Sequence, residues 1–572
     1  MYIQVNKSKG KNGKVYSGTF LCHKYREEKK IKTRVLANLS KMPENIILSI
    51  SNLLKHGSDA LVQLSELVIT KALDYGLIYL ILFLLKKLRI TETLDKTVPE
   101  LAPRLVLIII GKIVTRGSKL GIYNWICRHK EIAEKIGIDI NTLKVDDLYQ
   151  ALGEASFHQN KIERKWFQYH KGKHKEIFLY DITSTYLEGV DNVLAAFGYN
   201  RDKKKGKMQI NIGLITDKEG FPLTIKVFEG NVTDEKTVIE QLQALKNDFG
   251  AEQLIFVGDR GMKIRYNLEQ MNDADKKGID YITGLERPEI EQLLRKDIIQ
   301  LSLFSKELAE INHPDGRYIL SENPELKDRK QKFLNDMRTH FEMQLLPIKE
   351  SWKKRRNKNI ENIDRLKKGA KNKKLVTLFS KKKLDGYTVR CASILFKSKM
   401  KKYYTVDISN EEFNINFDND KFTNDLLLAG KYIVTTSVKA ERMNKEQVRE
   451  NYKALSNVEH AFRDFKSDNI QIRPVYLRNE HQTRGHILIS MFSFAIIKEM
   501  ENKIFPFLKK WNKEKKVQLA FDDILQELKG IKKCILKVPN SKQVIKYTEF
   551  NSIQLETLKL FGLTKKQLDT HL

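Results

Sequence analysis

The sequence predicts an α/β core that begins near Glu176, and three observations predict it. EIFLYDITSTYLEG, KMQINIGLITDKEG and PLTIKVFEGN are apolar, β-branched runs, the last two separated by a D-K-E-G turn, and so read as three consecutive strands. The pattern then alternates: VTDEKTVIEQLQALKNDFG reads as a helix, EQLIFVGDRGM as a strand ending at Asp259, YNLEQMNDADKKG as a short helix and IDYITGLE as a fifth strand. A helix to cover the sheet does not follow at once; it arrives with MNKEQVRENYKALSNVEHAFRDFKSD, after a long interpolation. Three strands, then helix, strand, helix, strand and a delayed covering helix is the order of a ribonuclease-H-like α/β core with an insertion.

Taken in order, the elements divide the chain into six regions. Residues 1–42 alternate apolar and polar positions around KGKNGK, as two or three antiparallel strands would, either lying on a phosphate backbone or covering the next region. Residues 43–171 turn helical, either as a packing domain or as a reader of DNA ends. In GLIYLILFLLKK the apolar run from Leu77 to Leu85 is nine residues, about half a membrane span, and so reads as a buried helix. Residues 172–287 hold the first part of the core and 439–505 the second. Between them, 288–438 start helical and become extremely basic from Trp352 to Lys383. They end strand-like in DGYTVRCASILF, KYYTVDIS and KYIVTTSV, a mainly β insertion. Residues 506–572 read as a packing or oligomerisation region.

Composition narrows the partners. Lys and Arg number 103 against 72 Asp and Glu, a formal charge of +31. So large an excess repels itself unless a polyanion neutralises it, or it reflects a bias for lysine. The four cysteines are scattered, far from zinc-binding spacing, and fit a reducing compartment. MYIQVNKSKGKNGK has no apolar run after its charges, which argues against a secretion signal. The basic stretch, with Lys353, Lys354, Arg355 and Arg356 at its head, is expected to be a DNA-facing arm, its rival being a solvated linker.

The chemistry rests on three carboxylates. Asp181 and Asp259 are expected to end neighbouring strands, where their charges converge at a cost of several kcal/mol unless a cation or proton answers them. Glu459 lies on the covering helix beside an apolar stripe of Leu455, Val458, Phe462 and Phe465. With it the set is an all-oxygen site suited to two Mg²⁺ or Mn²⁺ ions. Each acid also has a plain reading: a turn or cap for the aspartates, and a Glu459–Arg463 helix pair worth about 0.2–0.5 kcal/mol.

On these residues the chain resembles the DDE transposases of bacterial insertion sequences. The branch in question carries a Y-x2-R-x3-E-x6-K signature on its covering helix and a β-rich insertion before the catalytic Glu. Tyr452, Glu459 and Lys466 match at the right spacing, and LYDITSTY, GYNRDKKKGKMQINIGL, FPLTIKVFEGNVTD and FVGDRGM match the strand blocks; Leu455 stands where the signature has Arg. The resemblance implies cleavage at terminal inverted repeats, transfer of the 3′-hydroxyl ends into target DNA, and a homodimer holding two ends, with no membrane involved. It implies a bacterial cytoplasmic, nucleoid-associated setting. It makes Asp181, Asp259 and Glu459 the catalytic and metal-binding acids and gives Lys466 a phosphate contact. Tyr452 is left either to touch DNA or to pack at a helix end, and Arg260 either to touch DNA or to pair with an acid. Arg463 either takes over the missing arginine's contact or none is needed. A structure-specific nuclease on the same fold, and a non-catalytic DNA-binding derivative, are the alternatives.

Overall fold

The computed structural model describes residues 1–9, 15–28, 30–57, 68–170, 176–189, 191–249, 253–271, 276–305, 308–314, 316–369, 381–398, 400–409, 411–467, 470–537 and 544–564. They form two compact units, Met1–Ile162 with Phe465–Ile472 and His481–Leu572, and Glu163–Asp464 with Arg473–Glu480. The KGKNGK turn and the centre of the basic stretch lie largely outside the described residues.

In the first unit, β1 (Tyr2–Lys9), β2 (Val15–Glu27) and β3 (Lys30–Asn38) form an antiparallel sheet. GLIYLILFLLKK is a helix, Gly76–Lys87, with eight buried residues. Among the described residues no helix is long and apolar enough to cross a membrane. The residues before it, VITKALD, are read as helical above but form β4 (Val68–Asp74). The β-branched Val68, Ile69 and Thr70 favour the pleat, and the partner strand comes from the far end of the chain, where no local pattern announces it. Small residues set the helix contacts: a Cβ on Gly485 would lie 1.8 Å from the Leu152 carbonyl, so only glycine permits that approach.

Next to Gly485 the unit buries a cationic cluster. Lys119 Nζ lies 3.1 Å from His486 Nδ1, and Lys112 is buried too. Burial pulls the Lys119 ammonium down to about 8; burial and then Lys119 hold Lys112 well below the usual lysine range. The unfolded chain therefore holds these protons more tightly. Stability is expected to climb as pH rises from about 8 to about 10, on the order of 3 kcal/mol for Lys119 alone. Thermal melts across that window should show the climb in the wild type and a flatter profile in Lys119→Met.

The second unit is organised by β5 (Ile177–Tyr186), β6 (Gln209–Thr216), β7 (Pro222–Glu229), β8 (Leu254–Gly258), β9 (Ile279–Gly284), β10 (Ala309–His313) and β11 (Gly316–Glu322). β10 and β11 already lie within the insertion, 288–438, which adds β12 (Tyr404–Ile408), β13 (Phe413–Phe417) and β14 (Lys431–Thr436). In the first unit β15 (Lys532–Lys537) and β16 (Val544–Tyr547) complete a sheet of order β16-β15-β4. The large sheet runs β10-β11-β14-β9-β8-β5-β6-β7, with β5, β8 and β9 mutually parallel and the other pairs antiparallel. It is a mixed sheet flanked by helices, consistent with a ribonuclease-H-like core carrying insertions. The DKEG turn closes through Gly220 N–H to Asp217 O at 3.1 Å, with Gly220 at φ +84°.

The insertion is not mainly β. It supplies β10, β11 and, from KYIVTTSV, β14, which extend the core sheet beyond β9, and among the described residues the only sheet of the insertion separate from the core is the β12-β13 hairpin. DGYTVRCASILF belongs to a helix, Lys381–Lys397, beside the 46-residue helix Pro324–Gly369. Its strand-like alternation is overridden by packing: Tyr387 and Cys391, one turn apart, join Phe341, Leu345, Trp352, Tyr403 and Phe422 in one apolar cluster. Burying such side chains contributes about 1.5–3 kcal/mol each, more than the ~1 kcal/mol that β propensity commands.

Candidate active site

Parallel pairing of β5 with β8 runs from Ile177↔Ile255 to Tyr180↔Gly258 and stops there. The next residues on the two strands are Asp181 and Asp259, so the register itself sets the two carboxylates side by side. Asp259 leaves its strand and stands before the short turn Arg260–Met262. Asp181 does not end its strand. β5 continues antiparallel to β6 through Tyr186↔Gln209, with Asp181 opposite Leu214. Pairing to β6 keeps the strand straight after β8 has parted from it, and a half-buried carboxylate results.

The covering segment is two helices. Lys445–Lys453 ends at Ala454 and Leu455–Lys466 begins there, so Tyr452 and Glu459 stand on separate helices and no single wheel relates them. Leu455, Val458, Phe462 and Phe465 are buried, as the stripe requires. Glu459 is exposed, lines the cleft, and among the described residues makes no ion pair with Arg463. On the preceding helix, Tyr452 turns its ring over Gly284 of β9, where a Cβ would lie 2.4 Å from its hydroxyl. That hydroxyl donates to Asp259 Oδ1 at 3.5 Å, and burial followed by the Asp259 charge pushes the phenol up to about 12.

Asp181, Asp259 and Glu459 line one cleft of ≈ 260 Å³ with Thr183, Arg201, Asp234 and Phe462. Burial raises the Asp181 carboxyl to about 7, with Glu459 and Asp259 adding to the rise and the Ile182 N–H and Arg201 opposing it. A proton or cation is thus favoured between these oxygens. The donor set is all carboxylate, the chemistry that Mg²⁺ and Mn²⁺ prefer. Among the described residues no three His, Cys, Asp or Glu side chains converge tightly enough to grip a single ion.

Arg201 and Asp234 are cleft residues that the sequence reading missed. Arg201 Nη2 donates to both Asp234 carboxylate oxygens at 2.8 and 2.7 Å, and its backbone N–H donates to Ser184 Oγ at 2.9 Å. Tyr180, buried beside Asp181, donates to Thr237 Oγ1 at 2.8 Å, and Thr237 Oγ1 donates to the Asp234 carbonyl at 2.7 Å. The strand carrying Asp181 is thereby tied to the helix start carrying Asp234. The available signal was an arginine in the long β5–β6 connection, within GYNRD, ahead of an acid at a helix start.

The other predicted residues are not gathered at the cleft. Arg260, 61% exposed, reaches only 4.0 Å from Asp259 Oδ1 and lines a neighbouring hollow of ≈ 620 Å³ with Lys263, Arg265 and Thr283. Arg463 is exposed one turn beyond Glu459, and Lys466, the last residue of that helix, is half-buried. Lys353, Lys354 and Arg355 are exposed on the long insertion helix, and Arg356 is half-buried with its guanidinium 5.8 Å from the Trp352 ring. None of these four lines the cleft.

Tyr452→Phe removes the hydroxyl from Asp259 and keeps the ring over Gly284. On the DNA-cutting reading of this cleft, loss of one such orienting partner is expected to slow cleavage about 10- to 100-fold with little change in melting temperature. Gly284→Ala, which drives the ring away, should reproduce the defect. Unaltered rates in both variants would make Tyr452 a packing residue only.

A family model described as Transposase DDE domain matches residues 172–496, and one described as IS1634 family transposase, N-terminal domain, matches residues 3–63. Among solved structures the chain is similar to the cryo-EM structure of piggyBac transposase synaptic complex with hairpin DNA. That match has 7% sequence identity and a TM-score of 0.33, covering 82% of this chain and 75% of that one. No curated protein matches this chain.

Proposed function

Because the chain belongs to the Transposase DDE domain family, we propose that it cuts DNA at the terminal inverted repeats of a mobile element and joins the freed 3′-hydroxyl ends to target DNA. The observation that carries this reading is the single cleft lined by Asp181, Asp259 and Glu459, in which burial and mutual repulsion hold Asp181 ready for a cation. Asp181 and Asp259 would hold one divalent ion and Glu459 would complete the site of a second. When bound, Mg²⁺ or Mn²⁺ supplies acidity to the attacking water or hydroxyl and charge to the leaving oxygen. The residues do the rest. Tyr452 fixes the Asp259 carboxylate, and Arg201 limits the negative charge around Asp181.

Tyr452, Glu459 and Lys466 act, on this reading, as the Y…E…K signature, with Lys466 a point charge for phosphate. Leu455 cannot bind phosphate; the exposed Arg463 offers the nearest cation on the same helix. Arg260 serves the DNA backbone, and the exposed cations of the insertion helix provide a second contact. Two ends held together call for two copies of the chain.

The test is a plasmid carrying the DNA that flanks the gene, incubated with purified protein and Mg²⁺. The expected result is excision at short inverted repeats and joined products bounded by a direct duplication, all lost in EDTA. Cutting without joining favours a structure-specific nuclease, and no cutting with either Mg²⁺ or Mn²⁺ overturns the proposal.

A further inference from the structure

We propose that the connection from β5 to β6 carries a stacking platform for an unpaired base of the DNA strand entering the carboxylate cleft, with Tyr199 as the stacking ring and Arg201 beside it. This deepens the DNA-cleaving reading above and rests on it for the identity of the strand. Tyr199 is 82% exposed and Phe197, two residues earlier, 68%. A single exposed ring is ordinary, but two so close in one connection, beside the carboxylate cleft, make an exposed apolar surface of the kind that marks a binding site.

The backbone beneath Tyr199 is pinned. Its carbonyl accepts from Gln209 Nε2 at 3.2 Å, and the same amide donates to the Gly230 carbonyl at 2.8 Å. Ala196 and Gln209 exchange both backbone hydrogen bonds at 3.1 and 3.0 Å, and Gly230 N–H donates to Leu194 O at 3.1 Å. Gly198 fits because a Cβ there would lie 2.1 Å from the Gly230 carbonyl. The loop is therefore laid flat on the ends of β6 and β7, and the entropy of holding the ring in place is lost on folding rather than on binding.

Position and charge indicate the ligand. Tyr199 lines a hollow of ≈ 320 Å³ that shares Arg201, Asp234 and Gly261 with the carboxylate cleft. The Arg201 guanidinium lies 5.9 Å from the Tyr199 ring centroid. Exposed Lys203, Lys204, Lys205 and Lys207 follow in the same connection. Aromatic rings interleaved with cations suit a single strand, whose bases offer free faces while its phosphates meet the lysines. Both Gln209 amide donors are directed to carbonyls, which removes the bidentate reading of adenine and leaves a sequence-tolerant stack.

The experiment measures anisotropy of a fluorescein-labelled, mixed-sequence single strand of about 20 nucleotides, and of the paired duplex of equal length, with the full chain in EDTA. Tyr199→Ala is expected to weaken single-strand binding about tenfold and duplex binding less than about twofold, with Tyr199→Phe behaving as wild type. Equal losses on both probes, an unchanged single-strand affinity, or a Phe variant as defective as Ala would overturn the platform. Since no divalent cation is present, the result is independent of cleavage. An Asp181→Asn protein that still cuts would remove the catalytic reading without touching this one.

Discussion

Asp181→Asn is expected to lower DNA cleavage by at least about 10³-fold, to leave DNA binding within about twofold, and to make the protein more stable at neutral pH. The three effects share one cause. Asn keeps the size and position of the side chain in the middle of β5 but cannot carry the charge that a divalent ion requires. Burial, with Glu459 and Asp259 near, lifts the folded-state carboxyl to about 7, above its unfolded value of about 4. The folded chain therefore binds this proton more tightly, and its contribution to stability is full below about pH 4 and lost as pH rises through about 7. The amide does not titrate, so the variant's advantage in thermal midpoint should open between about pH 4 and pH 7 and persist above. Retained cleavage would sink the assignment of Asp181 as a ligand, and destabilisation at pH 7 would show that burial does not raise its carboxyl.

Much of this site was legible because its signals are local. The strand order β5-β6-β7, the helix, β8 and β9 follow from runs of a few residues, and Asp259 sits where its strand pattern stops. The apolar stripe on Leu455–Lys466 likewise follows from a period. What escaped depends on distant partners. Asp181 is mid-strand because β6 keeps pairing after β8 stops, a matter of register that one strand's residues do not encode. The break at Ala454 divides a helix whose pattern continues across it, and Tyr452, left either to touch DNA or to pack, is instead a partner of Asp259. VITKALD is a strand because β15, far along the chain, pairs with it. KYIVTTSV was correctly a strand but belongs to the core, since only the fold reveals the open edge of β9 that it fills.

Changing Lys353, Lys354 and Arg355 together to Ser is expected to weaken duplex binding by roughly 10²-fold at physiological salt and to reduce the slope of log K against log salt by about 3. Arg356 is deliberately kept. Its guanidinium lies over the Trp352 ring, and Trp352 is buried in the apolar cluster that joins the two insertion helices. Changing Arg356 would confound lost charge with lost packing. The other three are exposed around the rest of the helix, where serine costs little beyond helix propensity, so melting temperature should hardly move. Counterion release then separates two roles for the same charges. If they meet phosphates, affinity and slope fall together, and high salt erases the difference between variant and wild type. If they only keep the long helix solvated, affinity at low salt is unchanged and the slope stays as it was, which would remove this helix from the DNA interface.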